Sequence, residues 1–227
     1  VNTMGHHHLL LLTILLIGSV QKMRRLRRPP LTRRERRVVV TGLGAVTPLG
    51  VGAHRSWRRV LERKSGIRLG EELKKGLPRL RADVPGEEWI AVGERIEKEC
   101  GSGVKDARCI AFGVAAADEA IRDANLLDMS SEKRDRTGVC VGTGIGSIEV
   151  LSDAACLIDS GRHRRLSPYF VPRTLVNLTA GHISMRHKLR GPNHACSNAC
   201  ATGANSIGDA YRFIQRGDAD IMIAGGT

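Results

Sequence analysis

The stretch at residues 191–205, GPNHACSNACATGAN, places one cysteine, Cys200, where a strand is expected to end and a helix to begin. Small residues follow Cys200, so backbone amides could approach a group bound to its sulfur. The unpaired N–H groups and the dipole at a helix N-terminus favour a thiolate, and they also stabilise the oxyanion of an attacked thioester. Cys200 is therefore a candidate nucleophile, although a cysteine among small residues is more often an inert part of a core.

The remaining cysteines show none of the spacings that are typical of metal sites. They form no CxxC pair and have no matching histidine cluster, so neither a structural zinc site nor a disulfide framework is expected. A reducing compartment fits this pattern, with most of the thiols acting as small core residues. We expect no bound metal and no bound cofactor. The five cysteines are Cys100, Cys109, Cys140, Cys156 and Cys196.

Glycine-rich turns suggest a nucleotide site at first sight, but their spacing argues against one. Residues 42–47 lack the third glycine of GxGxxG, residues 142–146 are spaced differently, and neither stretch matches GxxxxGK[ST]. The glycines are better explained by tight strand-to-helix turns and by close packing between elements.

The elements that must position Cys200 alternate between strand and helix. Apolar runs predict strands at residues 38–41, 137–143 and 220–224, and a glycine-rich loop follows the first of them. Apolar residues at intervals of three and four predict helices at 109–127, 175–185 and 200–215. This order predicts an α/β fold, with a mixed or parallel sheet covered on both faces.

Residues 1–37 differ in composition from the rest of the chain. The apolar run at 9–20 is too short to span a bilayer comfortably, so no membrane span is expected, and an arginine-rich stretch follows it. This composition predicts an organellar import sequence, mitochondrial rather than cytoplasmic, or a disordered leader. Because nine of the 36 Lys and Arg residues lie here, the body is only mildly basic. It suits an acidic protein partner and not a nucleic acid.

Five segments resemble, in the right order, the signature blocks of β-ketoacyl synthases. The resemblance covers residues 38–227 and is strongest to the elongating type that serves a discrete acyl carrier protein, including the mitochondrial form. It implies a thiolase-like layered fold, α/β/α/β/α, of which this chain supplies the N-terminal half. The segments are 38–50 (VVVTGLGAVTPLG), 167–181 (SPYFVPRTLVNLTAG), 189–193 (LRGPN), 199–203 (ACATG) and 217–226 (GDADIMIAGG).

The resemblance also implies a reaction in fatty-acid synthesis. The cysteine matching Cys200 takes an acyl chain from the phosphopantetheine of the carrier, and malonyl-carrier then loses CO₂ and attacks the acyl thioester. Cys196 matches a strand residue and is interpreted as packing. Asn198 departs from the threonine common at its position, which leaves the local geometry open. Lys105 and Arg108 are weak candidates for carrier docking, and solvated surface charge is the alternative.

Groups needed for decarboxylation have no match in this chain. In the family two histidines, a lysine and a glycine-rich loop come from the C-terminal half, so we expect no condensation by this chain alone. His182, His187 and His194 are expected to be structural. The resemblance implies a homodimer joined through the strand before Cys200. The alternatives are a non-catalytic truncated product or association module and, less favoured, a polyketide ketosynthase or a thiolase.

Overall fold

The structure is a computed structural model, and it describes residues 12–19, 36–65 and 107–227. Six strands in these residues form one sheet, in the order β3–β2–β1–β6–β4–β5. The strands are β1 (Leu12–Ser19), β2 (Val38–Thr47), β3 (Gly50–Val51), β4 (Thr137–Gly142), β5 (Asn193–His194) and β6 (Ile221–Gly226).

The sheet is mixed, as the alternation of elements predicts. Strand β4 pairs in parallel with β5 on one side and with β6 on the other. Strand β1 pairs antiparallel with both β2 and β6, and β2 pairs antiparallel with β3. The carboxyl ends of β4, β5 and β6 therefore meet at one edge of the sheet.

Helices cover both faces of the sheet. They are α1 (Ala53–Leu61), α2 (Arg108–Asp123), α3 (Ser131–Asp135), α4 (Ile148–Asp159), α5 (Phe170–Thr174), α6 (Leu178–His187) and α7 (Thr202–Arg216). Val139, Val141 and Ile223 point to the face that α2 and α6 cover. The neighbouring strand residues Cys140 and Met222 point to the other face, against α7. Because side chains alternate along a strand, the two central strands build both cores.

The N-terminal region differs from its prediction at eight residues. Residues 1–37 were expected to be a leader outside the domain, yet the backbone at residues 12–19 forms a central strand. Ile14 is paired with Gly44 of β2 and with Gly225 of β6. An apolar run that is too short to cross a membrane has the ordinary length of a β-strand, which explains the difference. Residues 1–11 and 20–35 lie outside the described part, and the import prediction stays a prediction.

Strand β2 is longer than predicted because its glycines lie against a helix. A Cβ atom at Gly42 or Gly44 would overlap backbone carbonyl oxygens of α2, those of Ala120 and Ala116. The chain therefore remains extended where a loop was expected, and α2 packs directly on the strand. Glu119 of α2 connects β2 to the start of α1, because its carboxylate accepts hydrogen bonds from Ala45 N (2.9 Å) and Ala53 N (2.8 Å).

Candidate active site

Cys200 lies in a tight turn just before α7. The strand β5 is followed by an irregular segment, and a single 3₁₀ turn, Ala199–Ala201, leads into the helix at Thr202. The predicted helix began at Cys200 itself, two residues earlier than observed. Ala199 has a positive φ of 44°, which reverses the chain so that the helix can start, and the Cys200 side chain is left exposed to solvent.

Thr202 holds this turn in place with its buried hydroxyl. Its Oγ1 accepts a hydrogen bond from Asn198 N (2.8 Å) and donates one to Ala199 O (2.8 Å). Asn198, the residue that departs from the family pattern, contributes its backbone to this arrangement, and its carbonyl also accepts from Ala201 N (2.9 Å). The role of Thr202 was not predicted, although it lies within the ACATG block.

Three glycines form the floor beneath the turn. A Cβ at Gly144, just after β4, would lie 3.1 Å from Cα of Ala199, and one at Gly226 of β6 would lie 2.9 Å from Cα of Gly203. A Cβ at Gly142 would overlap the carbonyl oxygen of Cys196. The backbone of the turn therefore rests directly on the ends of β4 and β6. This confirms that glycines here serve close packing.

This arrangement suits a nucleophile that forms a covalent thioester. The carboxyl ends of parallel strands are the usual place for a ligand in an open α/β sheet. Cys200 lies there, next to the first turn of a 15-residue helix whose N-terminal amides favour negative charge. The same amides can stabilise the oxyanion that forms when a thiolate attacks a carbonyl carbon.

The other described cysteines occupy different environments. Burial, helped by the nearby Cys196 and Asp209, raises the pKa of Cys140 to about 12, and burial also raises the pKa of Cys109. Cys196 packs as expected, with its Sγ donating to Thr202 O (3.3 Å) and lying 3.1 Å from Ser206 Oγ. Cys156 is exposed like Cys200, but it lies near the end of α4. Cys100 lies outside the described residues.

His187 connects two helices and has no direct role in the candidate site. Its Nε2 lies 2.7 Å from Asp118 Oδ1 of α2, and Arg186 Nε donates to the same oxygen at 2.9 Å. Burial raises the pKa of Asp118, but the hydrogen bonds from His187 and Arg186 outweigh it and hold this pKa below its ordinary value. The contact therefore fastens α6 to α2, as expected for a structural histidine.

His194 lies beside two other residues that can bind metals. Its Nδ1 is 3.6 Å from Cys140 Sγ and 3.8 Å from Asp209 Oδ2, and its ring meets Phe213 edge-on. Cys140 and Asp209 are 54 and 15 positions from His194 in the chain, so no short motif joins the three residues. The fold alone brings the three groups together.

The two weak docking candidates gain no support from the structure. Lys105 lies outside the described residues. Arg108 begins α2, and its Nη1 lies 3.7 Å from Glu149 Oε1, with both side chains about half exposed. This is the geometry of a solvated surface ion pair.

Within the described residues, no helix is both long and apolar enough to cross a membrane.

Comparison with known proteins gives consistent matches over most of the chain. The sequence model described as "Beta-ketoacyl synthase, N-terminal domain" matches residues 35–227. The chain is 48% identical over 208 residues to 3-oxoacyl-[acyl-carrier-protein] synthase, mitochondrial, of Arabidopsis thaliana, covering 85% of this chain and 45% of that protein. It is 41% identical over 204 residues to 3-oxoacyl-[acyl-carrier-protein] synthase 2 of Rhizobium meliloti (strain 1021), covering 85% and 47%. The chain thus spans about half the length of these relatives.

Solved structures show the same fold. The ishigamide ketosynthase/chain length factor superposes with a TM-score of 0.67 at 25% identity, covering 82% of this chain and 51% of that one. A β-ketoacyl synthase from Burkholderia phymatum STM815 gives a TM-score of 0.62 at 23% identity, covering 81% and 45%. The described architecture is therefore the thiolase-like ketosynthase fold, represented by its N-terminal half.

Proposed function

Because the chain belongs to the β-ketoacyl synthase family, we propose that Cys200 is the acyl-accepting cysteine of a condensing enzyme of fatty-acid synthesis. One observation carries this proposal: Cys200 is exposed at the carboxyl ends of β4 and β6, next to the first turn of α7. The fatty-acid assignment, over a polyketide ketosynthase or a thiolase, rests on the names of the relatives at 48% and 41% identity.

The proposed step is a thioester exchange. The Cys200 thiolate attacks the carbonyl carbon of an acyl group carried on phosphopantetheine, and the new C–S bond forms as the carrier thiolate leaves. The first amides of α7 stabilise the intermediate oxyanion. The step needs no bound cofactor, because the carrier brings both the acyl group and its activation. In the complete reaction malonyl-carrier then loses CO₂, and the resulting carbanion attacks the acyl group on Cys200.

An arginine pair on the surface suits an acidic carrier. Arg164 and Arg165 are exposed, and neither forms an ion pair within the described part of the chain. The segment that follows them reaches the candidate site, because a Cβ at Gly146 would lie 2.8 Å from Thr174 O, at the end of α5. Gly144, which precedes Gly146 by two residues, lies against Ala199 in the turn of Cys200. We expect Arg164→Glu/Arg165→Glu to weaken carrier binding at least tenfold, while Arg122→Glu, at the end of α2, leaves it unchanged.

Acylation of Cys200 can be measured directly. The full chain is incubated with an acyl-carrier thioester, and the modified residue is located by peptide mass spectrometry. We expect acylation at Cys200, its loss in Cys200→Ala, and no effect of Cys156→Ser, which removes the other exposed thiol of the described residues. Equal acylation of both cysteines, or acylation that survives Cys200→Ala, would refute the assignment.

Condensation requires more than this step, and we propose that the chain alone does not perform it. The matched domain supplies Cys200, whereas the groups expected to stabilise decarboxylation have no counterpart in the sequence. Supplying both acyl-carrier and malonyl-carrier should therefore give acylated protein without a β-ketoacyl product. Sustained product formation that disappears in Cys200→Ala would show this part of the proposal to be wrong.

A non-catalytic association module is the second candidate, and one observation favours it. Large apolar side chains are exposed over residues 145–175, among them Ile148 (61%), Val171 (56%) and Ile145 (67%). Helices α4 and α5, which carry Ile148 and Val171, pack against each other, and exposed apolar surface of this kind marks a site of association. If these apolar side chains mediate self-association, Ile148→Lys/Val171→Lys should reduce the association measured by light scattering, whereas Trp57→Lys, on α1, should not. Strand β5 at the sheet edge offers the homodimer contact that the family resemblance implies.

Mitochondrial localisation is part of the same proposal. It is supported by the names of two relatives, from Arabidopsis thaliana and from Schizosaccharomyces pombe (strain 972 / ATCC 24843), and by the arginine-rich composition of residues 23–37. A C-terminal fluorescent fusion should follow a mitochondrial marker. The same fusion with Arg24, Arg25, Arg27 and Arg28 replaced by glutamine keeps strand β1 and should not follow it. A cytoplasmic distribution of the full fusion would contradict it.

A further inference from the structure

We propose that Cys140, His194 and Asp209 form a Zn²⁺ site that joins the three elements supporting the turn of Cys200. Cys140 belongs to β4, His194 to β5 and Asp209 to α7. Their sulfur, nitrogen and oxygen donor atoms all lie within 4.8 Å of one another. This inference stands on the geometry alone and does not depend on the acyl-transfer proposal.

One donor distance equals that of ligands sharing one ion, a second is slightly longer, and the third is at most 4.8 Å. In tetrahedral zinc sites Zn–S is about 2.3 Å and Zn–N about 2.0–2.1 Å, which places the two donor atoms about 3.5 Å apart. Cys140 Sγ and His194 Nδ1 are 3.6 Å apart. His194 Nδ1 and Asp209 Oδ2 are 3.8 Å apart, too far for a hydrogen bond. A shared zinc ion requires a spacing of about 3.3 Å, so Asp209 Oδ2 moves about 0.5 Å closer to His194 Nδ1 when the ion binds.

The donor set favours zinc over the hard cations. A thiolate and an imidazole are poor ligands for Mg²⁺ and Ca²⁺, whereas a Cys, His and carboxylate set suits Zn²⁺. Three protein ligands leave the fourth tetrahedral position for water. The ion can enter from solvent, since the side chains of His194 and Asp209 are 46% and 32% exposed while Cys140 is buried behind them.

Two neighbouring groups orient the ligands. Arg212 Nη1 donates to Asp209 Oδ1 at 3.0 Å, which leaves Oδ2 directed to His194. The ring of Phe213 packs edge-on against His194, with centroids 5.9 Å apart and planes at 71°. Outer groups of this kind fix the orientation of metal ligands. A bound ion would fasten α7 to β4 and β5, and so hold the segment between β5 and α7 that carries Cys200.

The test uses Co²⁺ as a probe for the site, because thiolate ligation of Co²⁺ gives a charge-transfer absorption band that histidines alone do not give. We expect the full chain to develop this band at one equivalent of Co²⁺ and to lose it when one equivalent of Zn²⁺ is added. Cys140→Ser should abolish the band. His194→Gln, at a half-exposed position, should weaken Co²⁺ binding at least tenfold.

Cys196→Ser is the matched control, because this thiol lies near Cys140 but outside the three-residue set. It should keep the band at full intensity. The proposal is overturned if no band forms, if the band is unchanged in His194→Gln, if Zn²⁺ fails to displace Co²⁺, or if Cys196→Ser removes the band. Circular dichroism of Cys140→Ser establishes that it is folded; if it is not, the comparison of His194→Gln with Cys196→Ser decides alone.

Discussion

Replacing Gly226 by alanine tests whether the glycine floor positions the nucleophile. A Cβ at Gly226 would lie 2.9 Å from Cα and 3.0 Å from N of Gly203, in the first turn of α7, whereas ordinary contacts begin at 3.4 Å. Both neighbours are backbone atoms, so no side chain can rotate away. The start of α7 must therefore move by about half an ångström relative to β6, the difference between ordinary contact and the distance found.

Two effects of different size follow from this shift. Inserting a methyl group into a closely packed site costs about 1–3 kcal/mol of folding free energy. Misplacement by 1 Å can cost about 100-fold in rate, so half an ångström predicts a loss of about tenfold in the acylation of Cys200. Stability is measured by urea denaturation, and acylation by mass spectrometry with an acyl-carrier thioester.

Gly208→Ala is the control for the same substitution in the same helix. A Cβ at Gly208 meets only Arg212 Nη1, at 3.8 Å, so there is room for it. Alanine inside a helix is favoured over glycine by about 0.5–1 kcal/mol, and this variant should be slightly more stable and acylate normally. If Gly226→Ala acylates at the rate of Gly208→Ala, the floor does not position Cys200 and the reasoning fails.

Three further changes test other parts of the structure. Thr202→Val should lower the free energy of unfolding by about 1–3 kcal/mol, because Asn198 N and Ala199 O each lose a hydrogen bond. Thr202→Ser keeps the hydroxyl and should retain the stability of the unmodified chain. Both variants are measured by urea denaturation. Folding lowers the pKa of Asp118, so this carboxylate stabilises the folded state. The stabilisation is complete above the unfolded carboxyl pKa of about 3.9, and it is lost as the pH falls from there through the lower pKa of the folded state. Asp118→Asn should therefore be less stable than the unmodified chain at pH 7, with the gap in unfolding free energy closing in acid. Deleting residues 1–35 should remove a large share of the unfolding free energy, because β2 and β6 would lose the strand between them. The total unfolding free energy of a domain is about 5–15 kcal/mol. An unchanged thermal unfolding temperature would contradict the central position of β1.

The sequence predicted the parts of the fold that depend on local patterns, and it supplied the candidate for the site. The strands near residues 137–143 and 220–224 were predicted from apolar runs, and the family blocks pointed to Cys200. What it missed depends on contacts between distant residues. The extended backbone at Gly42 and Gly44 follows from α2 packing on it, the function of Thr202 from two backbone groups of a turn, and the grouping around His194 from three separate elements. None of these contacts has a characteristic spacing along the chain.

The central position of β1 has a consequence for how this chain folds during synthesis. Among the described strands β1 is made first, yet one of its two partners, β6, follows about 200 residues later. Pairing over such a separation closes a very large loop, which slows folding and lengthens the time for which unpaired strand edges are open to aggregation. A nascent chain that has not yet extended through residue 226 can pair β1 with β2 alone. The sheet of the described residues therefore gains its central pairing only when β6 arrives, and chaperone protection would be needed most just before that moment.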